Sequence, residues 1–457
     1  MSEPGRSLDD EAIAEEACAL FPPLVAPPAE LAPRPRSLAD TGIPRRVLEM
    51  LLIKHLSQVT ELDKLALSSR LCLSGSLVEE LLQGLKGEAL LETRADGRFE
   101  RSLRFGLTHK GMALAQYEWQ RDGYLGPAPV SLTQYRALVM RQSARHDFVT
   151  AERFAAGMSD VLLTPAMINQ LGPALNSGRA IFIYGHPGTG KTYVSRRLVR
   201  LFATGVLIPH ALCIDEHVLP VFDPLVHRPL QLGQGASLRL DEGADPRWQW
   251  CQRPEVMVGG ELTTDMLDVN YDASLHAYRA PLQLKANNGL FLIDDLGRQK
   301  VAVDAILNRW IVPMEERIDY LTLASGKHFE VPFEQVLVFS TNLPPHELVD
   351  EAFLRRIGYK IPFLPISPEH YRQLWQQQCQ RHEVQWDEPL LQHLLKDLHQ
   401  ACAVPLLPCH PRDLVGLCRD QINFTQAPPR LTSELLDAVW RSYFVSTEEQ
   451  GGKDHEG

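Results

Sequence analysis

The residues best suited to chemistry start at a glycine-rich turn. Residues 180–202 read AIFIYGHPGTGKTYVSRRLVRLF: an apolar run, then Gly185, His186, Pro187, Gly188, Thr189, Gly190, Lys191 and Thr192, then an amphipathic stretch. Binding a polyphosphate takes a strand to deliver the loop and glycines that let backbone N–H groups curl around oxygens. It also takes a helix N-terminus to add its positive dipole end. Gly185 to Thr192 meet these needs as a Walker A pattern, with Lys191 set to reach the β- and γ-phosphates and Thr192 to hold Mg2+. His186 could touch the nucleotide, although a solvent-facing side chain is the plainer expectation.

Such a loop needs a second strand that carries carboxylates for the metal. Residues 289–298, GLFLIDDLGR, supply four apolar residues followed by Asp294 and Asp295. Asp294 is expected beside Mg2+, usually through water, and Asp295 to orient and polarise the attacking water. ATPases often carry Glu at the second place, and Asp is one methylene shorter. A third apolar run, QVLVFSTN at 335–342, ends in Asn342, which would hold the attacking water or the γ-phosphate. Residues 350–360, DEAFLRRIGYK, then set Arg355 and Arg356 side by side after an apolar pair.

These motifs in this order, followed by HPRDL at 410–414 in a helical region, resemble the AAA+ ATPases over roughly 150–446, about two-thirds of the chain. The resemblance implies an α/β fold, a P-loop core with a parallel sheet and a C-terminal helical lid. It implies ATP hydrolysis with Mg2+ in a homo-oligomeric ring, expected to be a hexamer. Position by position, Asn342 becomes sensor 1, Arg356 the arginine finger with Arg355 the other candidate, and Arg412 sensor 2. The finger would meet a neighbouring subunit's γ-phosphate.

Two segments narrow the branch. APLQLKANNGLFLIDD at 280–295 looks like the segment before Walker B in magnesium chelatases, MoxR-type ATPases and enhancer-binding activators. LNRWIVPMEERIDYLTLASGKHFEVPF at 307–333 looks like their extra β-hairpin, with Ser325-Gly326-Lys327 near its turn. Those families use such insertions to engage a protein at the ring centre, which implies an unidentified protein client. The GAFTGA loop of the enhancer-binding activators is lacking. VGGELTTDMLDVNYD and FDPLVHRPL match no assignable motif. Arg196, Arg197 and Arg200 after the loop read as a solvated helix face, and Trp248 and Trp250 as core or surface anchors.

Several elements must hold these residues in place. Residues 1–42, rich in Pro, Ala and Glu, read as a flexible arm with a short helix near 12–21. Residues 43–121 show three helical stretches, two strand-like runs around Asp96-Gly97 and a closing helix, a winged-helix-like domain. Residues 122–150 form a linker and connecting helix, 151–365 the α/β nucleotide-binding core, 366–446 the helical lid, and 447–457 a disordered tail. The core strands are continuous apolar runs, as expected of parallel strands covered on both faces.

The chain has 457 residues, 44% hydrophobic and 23% charged, with a net charge of −11. That balance argues against a protein that coats nucleic acid over most of its surface. Eight cysteines fit reduced thiols rather than a disulfide scaffold, and Cys402, Cys409, His410 and Cys418 lack the CxxC pairs of zinc modules. The acidic N-terminus does not read as a targeting signal and no run suits a transmembrane helix, so a cytoplasmic protein without membrane insertion is expected. Residues 43–121 carry twelve Lys/Arg against ten Asp/Glu, thin for DNA affinity, and the candidate third helix offers Glu79 and Glu80. Arg94, Arg98, Arg101 and Arg104 cluster on the wing. A protein-interaction module is the favoured reading there and DNA binding the alternative.

Overall fold

The computed structural model describes residues 30–95, 103–230 and 243–444. The helix expected near 12–21, the turn at Asp96-Gly97 with Arg98 and Arg101, and the tail 447–457 lie outside these residues.

Residues 30–42 are folded, unlike the flexible arm expected over 1–42. Ala32 and Leu38 are buried in two different hydrophobic clusters, and the Asp245 N–H donates to the Ala32 carbonyl at 2.8 Å. The Asp40 carboxylate accepts from the Arg36 and Ser37 N–H groups at 3.0 and 2.9 Å. Proline-rich sequence builds no core of its own, but single apolar side chains can enter cores built by other segments.

The helix Arg45–Ser57 buries Val47, Leu48, Leu51 and Leu52 on one face. Strand β1 (Leu62–Asp63) leads into the helix Lys64–Leu71, where the Asp63 side chain accepts from the Ala66 N–H. The helix Gly75–Gly87 buries Leu77, Val78, Leu81, Leu82 and Leu85. Strands β2 (Leu91–Ala95) and β3 (Leu103–Leu107) complete an antiparallel sheet in the order β1-β3-β2, and Thr108 caps the helix His109–Arg121.

Past β4 (Val130–Ser131), the helix Leu132–Arg141 opens with a capping box of Ser131 and Gln134. The helix Pro165–Ser177 and β5 (Ile181–Gly185) follow, then β6 (Val206–Pro209), β7 (Ala211–Ile214), β8 (His217–Pro220) and β9 (Trp248–Cys251). Next come β10 (Glu255–Val258) and a hairpin of β11 (Asn270–Asp272) and β12 (Ala277–Arg279). The chain continues through β13 (Leu290–Ile293), a hairpin of β14 (Ile318–Thr322) and β15 (His328–Pro332), β16 (Val336–Thr341) and β17 (Tyr359–Phe363).

Five strands form one parallel sheet in the order β10-β13-β16-β5-β17. Alternate residues serve opposite faces. Ile181, Ile183, Leu290, Leu292, Val336 and Val338 pack with Leu171 and Leu175 of one helix, while Phe182, Phe291, Leu337 and Phe339 pack around Trp310. Because the strands are parallel, Gly185 at the end of β5 and Asp294 and Asn342 just past β13 and β16 lie at one edge. Arg179, Gln335 and Gly358 precede strand starts at the opposite edge.

The unassigned stretch after the loop helix is a packed layer. β6, β7, β8 and β9 bury Val206, Leu207, Ile208, Leu212, Leu219, Trp248 and Trp250 in one cluster. The hairpin expected within 307–333, with Ser325-Gly326-Lys327 near its turn, forms as β14–β15 and joins this cluster through Leu321, Leu323, Phe329 and Val331. The Arg136 guanidinium donates to the Glu330 carbonyl, and the Lys327 ammonium pairs with Asp215 at 2.9 Å. Alternating apolar residues in a hairpin mark one face for burial, and the neighbouring layer supplies the cover. The N-terminal unit is joined to the same layer. Ala211, Cys213 and Val218 belong to its core, and Arg121 pairs with Glu216 at 2.7 Å.

Four helices, Pro368–Arg381, Glu388–His393, Cys409–Thr425 and Ser433–Tyr443, make the C-terminal bundle around Tyr371, Trp375, Leu391, Leu414 and Trp440. A π-helical turn, Leu394–Gln400, places His399 against Tyr371, His410 and Trp440. Burial lowers the pKa of both His399 and His410 to about 4, so they act as neutral packing groups. Among the described residues no helix is long and apolar enough to cross a membrane.

Candidate functional site

Gly185 ends β5 at φ 148°, where a Cβ would fall 2.1 Å from the Phe363 carbonyl oxygen, so the chain can leave the sheet here only without a side chain. Gly188 and Gly190 turn the loop at φ 82° and 86°, and a Cβ on Gly190 would meet nothing within 4 Å, which marks the open side of the cradle. His186, Pro187 and Gly188 are exposed, while Thr189 is buried with its hydroxyl donating to the His186 carbonyl at 2.8 Å. The helix Lys191–Leu198 follows, with Gly190 as an N-cap that makes no side-chain cap bond. Its first N–H groups therefore face the loop.

Lys191 is buried. Its ammonium donates to the Gly185 and His186 carbonyls at 2.9 Å each and to Asn342 Oδ1 at 2.7 Å. Burial pushes its pKa down, opposed by the Asp294 and Asp295 carboxylates. Asn342 also donates through Nδ2 to Asp295 Oδ1 at 2.7 Å, so one amide joins the cation of the loop to a carboxylate two strands away. Thr192 Oγ1 donates to Asp294 Oδ2 at 2.7 Å, and Asp294 Oδ1 accepts from the Asp295 N–H at 3.0 Å. Asp295 sits at φ 49°, which turns its carboxylate off the strand line.

Gln299 was not singled out from sequence. Its amide donates to the Gly259, Asp294 and Asp295 carbonyls at 3.2–3.3 Å and so holds the acidic turn. A Gln six residues past a strand carries no sequence signal of that role. Thr192 and Asp294 supply two adjacent hard oxygen donors, and among the described residues no group of three or more His, Cys, Asp or Glu could hold a metal. That set fits Mg2+, which is usually bound by one or two carboxylates with phosphates and waters completing its shell.

The C-terminal bundle meets the loop at Cys409. Its N–H donates to the Gly188 carbonyl at 3.3 Å, and a Cβ on Gly188 would lie 2.5 Å from its sulfur. One turn further, Arg412 is exposed and paired with Asp413 at 2.8 Å; in this arrangement it does not join Lys191, Asp294 and Asp295. Arg355 and Arg356 are not at this edge. They line a cleft of about 340 Å³ at the strand-start edge, with Arg179, Arg317 and Glu315. Arg356 donates to Glu315 at 2.5 Å, while Arg355, 75% exposed, pairs with Glu351 at 3.2 Å. Arg197, expected on a solvated face, is buried. It stacks 3.5 Å from the Tyr193 ring centre and pairs with Asp160 at 2.8 Å.

Residues 367–442 match a family model described as a Domain of unknown function (DUF8689). No curated protein matches the chain. Among solved structures, the RuvB Holliday junction branch migration motor of Thermotoga maritima gives a TM-score of 0.38 at 11% identity, covering 63% of this chain and 72% of that one. NtrX of Brucella abortus gives 0.40 at 13% identity, covering 64% and 59%. FabT of Streptococcus pneumoniae, in complex with DNA, gives 0.15 at 20% identity, covering 16% and 50%. Likenesses this distant carry no argument about function.

Proposed function

We propose that this chain binds and hydrolyses ATP with Mg2+, and that it works as an AAA+-type ring, a hexamer, to remodel a protein partner. The observation that carries the ATPase reading is the connected set at the strand-end edge. Lys191 meets Asn342, Asn342 meets Asp295, and Thr192 meets Asp294, all at the mouth of the 185–192 loop. Loop N–H groups and Lys191 take the triphosphate, with phosphate oxygens replacing the Gly185 and His186 carbonyls around the ammonium. Mg2+, held by Thr192 and Asp294, would neutralise charge on the β- and γ-oxygens.

Asp295 accepts a proton from the attacking water, and Asn342 helps to place that water. The water oxygen bonds to the γ-phosphorus, the bond from phosphorus to the bridging oxygen breaks, and ADP leaves with the electron pair. Arg355 and Arg356 stand at the other edge of the sheet, about 20 Å away for a run of six strand residues. They therefore serve a neighbour's γ-phosphate rather than their own. Arg412 joins the site only after the bundle closes and Asp413 releases it.

Equilibrium ATP binding and phosphate release test this. Lys191→Ala abolishes turnover; Asp295→Asn keeps ATP bound and loses turnover. Normal turnover by Asp295→Asn sinks the assignment. Affinity capture with Asp295→Asn in ATP identifies the client.

A second reading makes the N-terminal unit a winged helix that binds DNA under ATP control. It is favoured by a groove of about 1080 Å³ lined by Arg34, Arg36, Lys64, Ser74 and Ser76, and by the exposed Arg104. Against it, Lys64 pairs with Glu79 at 3.4 Å and Arg45 with Glu80 at 3.6 Å. Duplex binding at low salt that is lost in an Arg34→Ala/Arg36→Ala chain supports it, and no binding at low salt removes it.

A further inference from the structure

The cleft at the strand-start edge holds more positive charge than the arginine pair alone accounts for. Arg179, Arg317, Arg355 and Arg356 line it with a single carboxylate, Glu315. Two of the four guanidiniums are committed within the chain, Arg356 to Glu315 and Arg317 to the Gly178 carbonyl. Among the described residues, Arg355 pairs with Glu351 on its own helix, and both side chains are exposed. Arg179 is exposed and in no ion pair among the described residues.

Arg179 is nevertheless placed. It lies two residues before β5, and β5 pairs with β17 from Ile181 opposite Tyr359. Continued back one residue, that register sets Ala180 opposite Gly358, two residues past Arg356, with Arg179 next along the chain. A Cβ on Gly358 would lie 2.7 Å from Arg179 Cδ and 2.8 Å from its Cβ, so the arginine's stem runs along the backbone of the glycine. Only a glycine allows that approach, and the contact holds the Arg179 head on the same side as the pair. Guanidiniums gathered at one cleft repel one another, and a shared polyanion offsets that cost. Arg179 cannot meet its own nucleotide, because all of β5 separates it from the loop.

We infer that Arg179 is a second trans-acting cation, which with the Arg355/Arg356 pair grips the β- and γ-phosphates bound at the strand-end edge of an adjacent copy. This rests on the ATPase reading above. The pair and Arg179 come from different elements, so they approach the triphosphate from two sides. That leaves one free to meet charge on the bridging oxygen as its bond to phosphorus breaks while the other holds the γ-oxygens. Two donors from separate elements also fix the rotation of the neighbouring copy, which a single arginine does not.

The test is steady-state ATP turnover by the full chain as Arg179→Gln, as Arg355→Ala/Arg356→Ala, and as each mixed with Asp295→Asn. Arg179→Gln is expected to lower kcat about 100-fold with nucleotide KM little changed, the loss typical of one preorganised donor. Mixing it with Asp295→Asn restores turnover, because the Asp295→Asn copy lends its Arg179 to an intact site next door. A purely structural role would not be rescued by mixing. If Arg179→Gln turns over normally, or its loss is not rescued, while the double variant is dead and rescued, the Arg179 inference is overturned and the trans-acting ATPase reading stands. If the double variant turns over normally, that reading falls and the Arg179 inference falls with it.

Discussion

At the strand-end edge of the sheet, Lys191, Thr192, Asp294, Asp295 and Asn342 satisfy one another; at the strand-start edge, four arginines share a cleft with one carboxylate, Glu315. The first edge is closed within a single chain, and a ligand must displace protein groups to enter it. At the second, Arg355 and Arg356 pair with Glu351 and Glu315 while Arg179 is in no ion pair among the described residues, and this edge lies too far from the first for one subunit to combine the two. Matched charge is what a folded chain does for itself. Four guanidiniums gathered at one place, in a protein of net charge −11, would on the proposed ATPase reading take their anion from a neighbouring copy's triphosphate.

Four experiments break or sharpen that contrast. The largest effect is expected at the strand-start edge. Arg355→Ala/Arg356→Ala should lower turnover about 1,000-fold or more, as for an arginine finger, with ATP binding nearly intact. The single variant that reproduces the loss names the finger. A thermal melt should barely move, and a large fall in Tm would mean that the cleft is structural.

At the matched edge, Asn342→Ala removes the link between Lys191 and Asp295. Turnover should fall about 100- to 1,000-fold, the range for losing one preorganised donor, with ATP affinity changed only a few-fold. A loss of binding equal to that of Lys191→Ala would instead make Asn342 a support for the loop lysine.

Glu315→Gln tests how far the cleft is restrained. Freed of its 2.5 Å partner, Arg356 should leave kcat within about threefold, because the pair is half exposed and worth about 1 kcal/mol or less. A complete loss of turnover would show that Glu315 is needed to aim it.

The smallest effect is a control at a matched cation far from both edges. His393 sits between Asp437 and Asp397, at 2.8 Å each, and these bonds raise its pKa above the ordinary 6.5. A raised folded pKa adds stability below the unfolded value and loses it as pH climbs through the folded one. His393→Gln should therefore lower chain stability near pH 6 by less than about 1 kcal/mol, discounted for solvent, and leave it unchanged near pH 9. Equal destabilisation at both pH values would assign the effect to packing.

The candidate site was readable to unequal degrees. The 185–192 loop, Asp294, Asp295 and Asn342 are local features: glycines, a lysine and carboxylates next to apolar strand runs, whose parallel pairing forces them to one edge. The burial of Arg197 and the cover over the β14–β15 hairpin were not readable. Arg197 looks like one more solvated cation until Asp160 and Tyr193 close on it, and the hairpin's own sequence does not tell that the layer of β6 to β9 covers its apolar face. Residues 30–42 misled for the same reason, since their two apolar anchors enter cores made by segments far away in sequence.

By itself, the sequence determined which residues could form a phosphate cradle and which apolar runs would be buried parallel strands, because glycine content, strand hydrophobicity and residue order are properties of short stretches. Only the tertiary structure decided that the N-terminal unit shares its core with β7 and β8, that Asn342 joins Lys191 to Asp295, and that Arg179 lies along Gly358 beside the arginine pair. Those facts depend on pairing register and on packing between distant segments. Contacts of that kind form only when the whole chain has buried its apolar faces.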